Sequence, residues 1–159
     1  MNLHVDIQSA SSEPVPEEED LRSWIAAALD QLSRRQPAQL SVRLVDRDEM
    51  AHLNHTYRGK AGPTNVLSFP AELPDEVNLP LLGDIVICAP VVRAEAAEQG
   101  KDTTAHWAHM TVHGTLHLLG YDHIEEDDAA AMEALETDIL TGLGYDCPYQ
   151  DNTTREYSS

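Results

Sequence analysis

The residues best able to do chemistry in this chain are histidines, and they are crowded. Five of the eight fall between positions 106 and 123: His106, His109, His113, His117 and His123. In the segment HGTLHLLGYDH, His113 and His117 stand at i and i+4, which on a helix stacks their imidazoles on one face. Gly120 lets the chain leave that helix and turn back, and His123 arrives from the turn. Three nitrogens on one side of an ion, with a fourth position open, is the arrangement of a catalytic zinc site. The alternative triple of His109, His113 and His117 spans about 12 Å of helix rise. One ion with ligand bonds of about 2.1 Å does not easily reach both ends of that span. His106 and His109 are therefore expected to lie behind the ligands or at the surface. Asp122, beside His123, could orient a ligand imidazole, hold a water, or be an ordinary turn carboxylate.

The spacing H-x-x-x-H-x-x-G-x-x-H is also that of the metzincin proteases, which carry a glutamate directly after the first histidine as general base. Here that position is Gly114, and glycine cannot move a proton. The metal site is kept while a peptidase mechanism of that kind lacks its base.

These groups must be positioned by elements that the hydropathy pattern outlines. Leu3, Val5 and Ile7 alternate with polar residues, as in a half-buried strand. Leu21, Trp24, Ile25, Ala28, Leu29 and Leu32 recur at helical spacing, and Pro37 stops that helix. Leu40, Val42 and Leu44 mark a second strand. A short helix over 48–57 follows, capped by Asp46 or Asp48. Arg58 to Pro63 reads as a Gly/Lys/Pro loop, 66–69 as a third strand ended by Pro70, and 72–80 as a mobile connection. The run from Asp84 to Cys88 fits a strand buried on both faces. Pro90 suits the first turn of a helix over 91–99, which Gly100 closes. Thr103 or Thr104 caps the histidine helix to about Leu119, and 125–140 form the last helix, with acids in its first turn. The expected fold is α+β: one domain over 1–159 with a four-stranded mixed sheet, about five helices, one of them a zincin-like metal helix, and a frayed tail over 145–159.

The three blocks HGTLHLLGYDH, NHTYRGKAGPTNVLSFP (Asn54 to Pro70) and LLGDIVI (Leu81 to Ile87) together resemble the YbeY family of bacterial endoribonucleases, in order and in separation. The likeness runs from about Val42 to Tyr145. The resemblance implies a single-strand-specific endoribonuclease acting in 16S rRNA maturation, late 30S processing and ribosome quality control. It implies one zinc per chain on His113, His117 and His123, and it places the family's functional arginine on Arg58. Arg58 and His113 are thus the candidate catalytic residues, with Arg58 and Lys60 as candidate substrate-binding groups. The chemistry is compatible, because a metal and a bidentate guanidinium can stabilise the charge developing on a phosphodiester. Two routes stay open: a water activated by the metal, leaving hydrolytic ends, or a ribose 2'-hydroxyl, leaving a cyclic phosphate. The implied partners are rRNA and pre-30S or 30S particles, with a small-subunit ribosomal protein and an assembly GTPase as further candidates.

The charge balance argues in the other direction. Lys and Arg number 10 against 28 Asp and Glu, a net charge of -18 in 159 residues. Such a body repels nucleic acid and anionic membranes on average, so RNA binding requires a local gathering of Arg34, Arg35, Arg43, Arg47, Arg58 and Lys60 around the metal. Tyr57, Phe69 and Tyr121 are the aromatic groups near the motifs, as stacking platforms or as core. The acidic surface would instead suit basic protein partners. Two other functions remain in play: a zinc-stabilised ribosome-assembly factor without catalysis, and a metal hydrolase of small substrates. The N-terminus has neither the basic nor the apolar region of a secretory signal, and no stretch approaches a spanning helix, so the cytoplasm is expected and a membrane is not. Cys88 and Cys147 fit two buried thiols better than a bridge.

Overall fold

The computed structural model describes residues 3–32, 38–71, 81–121 and 126–145. These form, in chain order, β1 (Leu3–Ser9), α1 (Glu18–Gln31), β2 (Ala38–Val45), α2 (Arg47–Arg58), β3 (Val66–Pro70), β4 (Leu81–Cys88), α3 (Ala89–Gln99), α4 (Thr103–Leu118) and α5 (Glu126–Gly142). Pro37, the connection over 72–80 and the tail beyond Tyr145, Cys147 included, lie outside the described residues.

The sheet order is β1-β2-β4-β3. β1 pairs with β2 and β2 with β4 in parallel, while β3 pairs antiparallel to β4 and forms an edge. The mixed four-stranded sheet and five helices match the α+β architecture that the hydropathy pattern indicates. β4 lies second from that edge, which explains its unbroken apolar run: Ile85, Val86, Ile87 and Cys88 are all buried. The two faces of the sheet bury different clusters. Leu40, Val42, Leu44, Ile85 and Ile87 pack with α1, α4 and α5 through Leu21, Ile25, Leu29, Leu116, Met132 and Leu140. Val45, Leu67, Val86 and Cys88 pack on the opposite side against Met50 and Leu53 of α2. Adjacent residues of a strand point to opposite faces, so α2 and α4 are separated by the sheet.

Helix α4 is the centre of the molecule. It contacts β3, β4, α1, α3 and α5, and most of its residues are buried, from His106 to Leu118. A helix buried nearly all round has no amphipathic stripe, and its polar groups must be satisfied inside. Thr111 and Thr115 do this by donating to the carbonyls of Trp107 (2.9 Å) and Thr111 (2.8 Å). Its N-cap is Asp102, whose carboxylate accepts from the Ala105 amide at 3.3 Å, rather than Thr103 or Thr104. Asp is as good a cap as Ser or better, and here it sits one residue earlier. At the other end Gly120 has φ +101°. Its amide donates to the His117 carbonyl and that of Tyr121 to the Leu116 carbonyl, both at 3.1 Å. This paired closure needs the left-handed conformation that glycine adopts without strain, so the helix ends where the histidine motif requires.

Asp46 is the N-cap residue of α2 but makes no side-chain capping bond. Its carboxylate instead accepts from the Ser11 hydroxyl and from the Ser12 amide and hydroxyl, which ties the end of β1 to the start of α2. Pro90 lies in the first turn of α3, as expected. No helix among the described residues is long and apolar enough to cross a membrane.

Candidate metal centre

Helix α4 presents two faces to its surroundings, and the histidine face is the more open one. The His113 and His117 rings lie with centroids 4.7 Å apart, one turn above the other. Both are partly exposed on a helix whose other side chains are mostly buried, and the His113 side chain is 19% exposed. His123 and Asp122 lie outside the described residues.

The structure adds a group that the sequence pattern did not single out. Glu136 of α5 is 0% exposed and bridges two histidines of α4. Its Oε2 lies 2.7 Å from His113 Nδ1, and its Oε1 lies 2.7 Å from His109 Nε2. The contact at Nδ1 fixes the orientation of the His113 ring, as a carboxylate does behind a ligand histidine. The donor chemistry fits zinc: two imidazoles on adjacent turns, one of them oriented by a carboxylate. A signal for Glu136 was present in the sequence. Met132, Glu136, Ile139 and Leu140 recur at helical spacing and all four are buried, so a carboxylate sits within an apolar stripe.

His106 and His109 are both buried, so the surface alternative for them is removed. His109 is joined to His113 through Glu136. His106 belongs to a separate network, with Nε2 2.9 Å from Glu95 of α3. Glu95 in turn accepts from the Asn65 side-chain amide at 3.2 Å, joining the start of β3 to α3 and α4. Burial pushes the His106 imidazole below its ordinary value, with Glu95 opposing.

Gly114 has a structural reason that does not involve a base. A Cβ at this position would meet Ile85 Cγ2 at 2.9 Å, and Ser68 Oγ and Val66 Cγ2 at 3.3 Å. The Ser68 hydroxyl donates to the Gly114 carbonyl at 3.0 Å. This position therefore faces β3 and β4, and the space a glutamate would fill is occupied by the sheet.

Arg58 is the last residue of α2 rather than a loop residue, and Lys60 follows the helix end at Gly59. Both are exposed, and neither side chain has a hydrogen-bond or ion-pair partner among the described residues. They stand at the end of the helix that packs across the sheet from α4. The segment after them is held by Asn54, a buried residue whose amide donates to the Gly62 carbonyl at 2.8 Å. The sequence shows Asn54 only as a polar residue within α2, with no sign that it reaches forward to the loop.

Of the other described basic groups, Arg43 and Arg47 lie on the α2 side, whereas Arg22 is on α1, Arg93 on α3 and Lys101 just before α4. Arg47 begins α2, and Arg43 forms a two-point pair with Glu49 of α2, at 2.6 and 3.1 Å. Arg34 and Arg35 lie outside the described residues. Of the aromatic candidates, Tyr57 is 64% exposed and sits edge-on to Phe69 at 5.1 Å, whereas Tyr121 packs against the core.

The family model for Endoribonuclease YbeY matches residues 6–144. The chain belongs to the YbeY family. A relative from Pseudomonas putida (strain W619), named Endoribonuclease YbeY, is 55% identical over 151 residues, 94% of this chain and 95% of that protein. One of the same name from Pseudomonas syringae pv. tomato is 53% identical over 156 residues, 98% and 93% of the two chains. The solution structure of TM1509 from Thermotoga maritima shares the fold with a TM-score of 0.58 at 24% identity, covering 94% of this chain and 99% of that one. YbeY membership thus spans both the α4 histidines and the α2 end with Arg58.

Proposed function

We propose that this protein is a zinc-dependent, single-strand-specific endoribonuclease of 16S rRNA, acting in late 30S maturation and ribosome quality control in the cytoplasm. The observation that carries the reading is the His113–His117 pair, with His113 oriented by a buried carboxylate, in a chain of the YbeY family. His113, His117 and His123 would hold one zinc on a zincin-like helix. The ion would supply Lewis-acid stabilisation of charge on the phosphodiester. Arg58 and Lys60 bind the RNA backbone from the α2 side, where their side chains have no competing carboxylate partner among the described residues. The exposed Tyr57 directly precedes Arg58 on α2. With so few other cations on an acidic body, binding to free RNA is weak and salt-sensitive, and assembly partners on pre-30S particles supply much of the selectivity.

The test is zinc content together with cleavage of a single-stranded rRNA fragment, comparing the native chain with Arg58→Glu at equal zinc. Stoichiometric zinc in both and cleavage by the native chain alone is the expected result. Equal cleavage by both refutes the role of Arg58.

A further inference from the structure

The bridge from Glu136 to two histidines points to a role in making the site rather than in packing, and it rests on the zinc reading above. We infer that Glu136 is the positioning residue that turns His113 into a metal ligand, with His109 holding Glu136 in place. A carboxylate has no hydrogen to give, so both imidazoles donate to it. His113 donates from Nδ1 to Oε2 and His109 from Nε2 to Oε1, each at 2.7 Å. The first bond sets the tautomer of His113: hydrogen on Nδ1, lone pair on Nε2. A neutral imidazole in water interchanges its two forms, and only one of them presents that lone pair. The second bond fixes the carboxylate itself, so that His113 is held by a group that cannot swing.

Packing alone does not account for a glutamate here. The position lies in an apolar stripe between Met132, Ile139 and Leu140 and is wholly buried. An aliphatic side chain of similar volume would avoid the desolvation of a carboxylate. The residue is also separated from His113 and His109 along the chain and reaches them only because α5 packs on α4. His109, too far along the helix to share the ion with His117, thereby has a function in the same site.

Glutamine at this position keeps the volume but cannot accept from both rings. Its oxygen accepts from one imidazole, and its NH2 requires a lone pair on the other. When the NH2 faces His113, the hydrogen of that ring moves to Nε2 and the ligand nitrogen is blocked.

The test uses the full chain and its Glu136→Gln variant. Zinc affinity is measured by competition with a chromophoric chelator, and thermal unfolding is followed in excess EDTA. Long-range 1H–15N spectra of the zinc-free native protein read the tautomer of His113 directly. The expected results are a zinc dissociation constant raised about 10- to 100-fold, unfolding in EDTA close to native, and native His113 protonated on Nδ1. Native zinc affinity in a folded Glu136→Gln chain overturns the inference, as does a native His113 carrying its hydrogen on Nε2. The tautomer measurement needs no variant and decides the matter if Glu136→Gln does not fold. A native chain that takes up no zinc is a separate failure, of the metal reading itself, and removes the inference with it.

Discussion

Gly114→Ala sets two known effects against each other, and the structure decides the sign. In an exposed helix interior the change stabilises by about 1 kcal/mol, because alanine is the better helix former. Here the new methyl would lie 2.9 Å from Ile85 Cγ2 and 3.3 Å from Val66 Cγ2 and Ser68 Oγ. Ile85 is fully buried, and its branched Cβ leaves that methyl no alternative rotamer without cost. Overpacking of this kind costs about 1–3 kcal/mol. The net expectation is a loss of about 1 kcal/mol, which lowers the urea midpoint by about 0.5 M for an m-value near 2 kcal/mol/M. Fluorescence of the buried Trp24 and Trp107 reports the transition. A midpoint that rises by a similar amount would show that propensity alone operates and that α4 does not press on β4 and β3. The same contact means that Gly114→Glu drives a side chain into the sheet; the expected outcome is lost stability and no peptidase activity.

Arg58→Glu alters an exposed side chain without a partner among the described residues. It should shift stability by no more than about 0.5 kcal/mol, read by urea unfolding, while RNA cleavage is lost. Asn54→Ala removes the amide that holds the Gly62 carbonyl. It should cost about 1–3 kcal/mol and weaken RNA binding without changing zinc content, measured by unfolding and metal analysis. His106 gives a pH dependence of defined sign. Its folded value is depressed by burial, so the unfolded state binds the proton more readily. Its contribution to stability is present above the ordinary value of 6.5 and lost as pH falls through the folded value. His106→Phe should flatten the stability profile below pH 6.5, and an unchanged slope would show that this group is not responsible.

Local chemistry in the chain was enough to locate most elements and to put His113 and His117 side by side. Periodicity identifies α1 and β2, an unbroken apolar run identifies β4, and i,i+4 spacing puts His113 and His117 on one face, because these depend only on residues a few positions apart. Gly120 likewise marks a helix end that needs a positive φ. Three features required the tertiary structure. Glu136 meets His113 only through the packing of α5 on α4, and in the sequence its carboxylate is one among 28 acidic residues. The two buried clusters put α2 and α4 on opposite faces of the sheet, so the helix that ends at Arg58 packs across it from the histidine helix, which spacing does not reveal. Gly114 reads in the sequence as a missing base, whereas in the fold it is the point where α4 touches β3 and β4. In each case the deciding contact joins residues distant in the chain, and burial of apolar surface selects it.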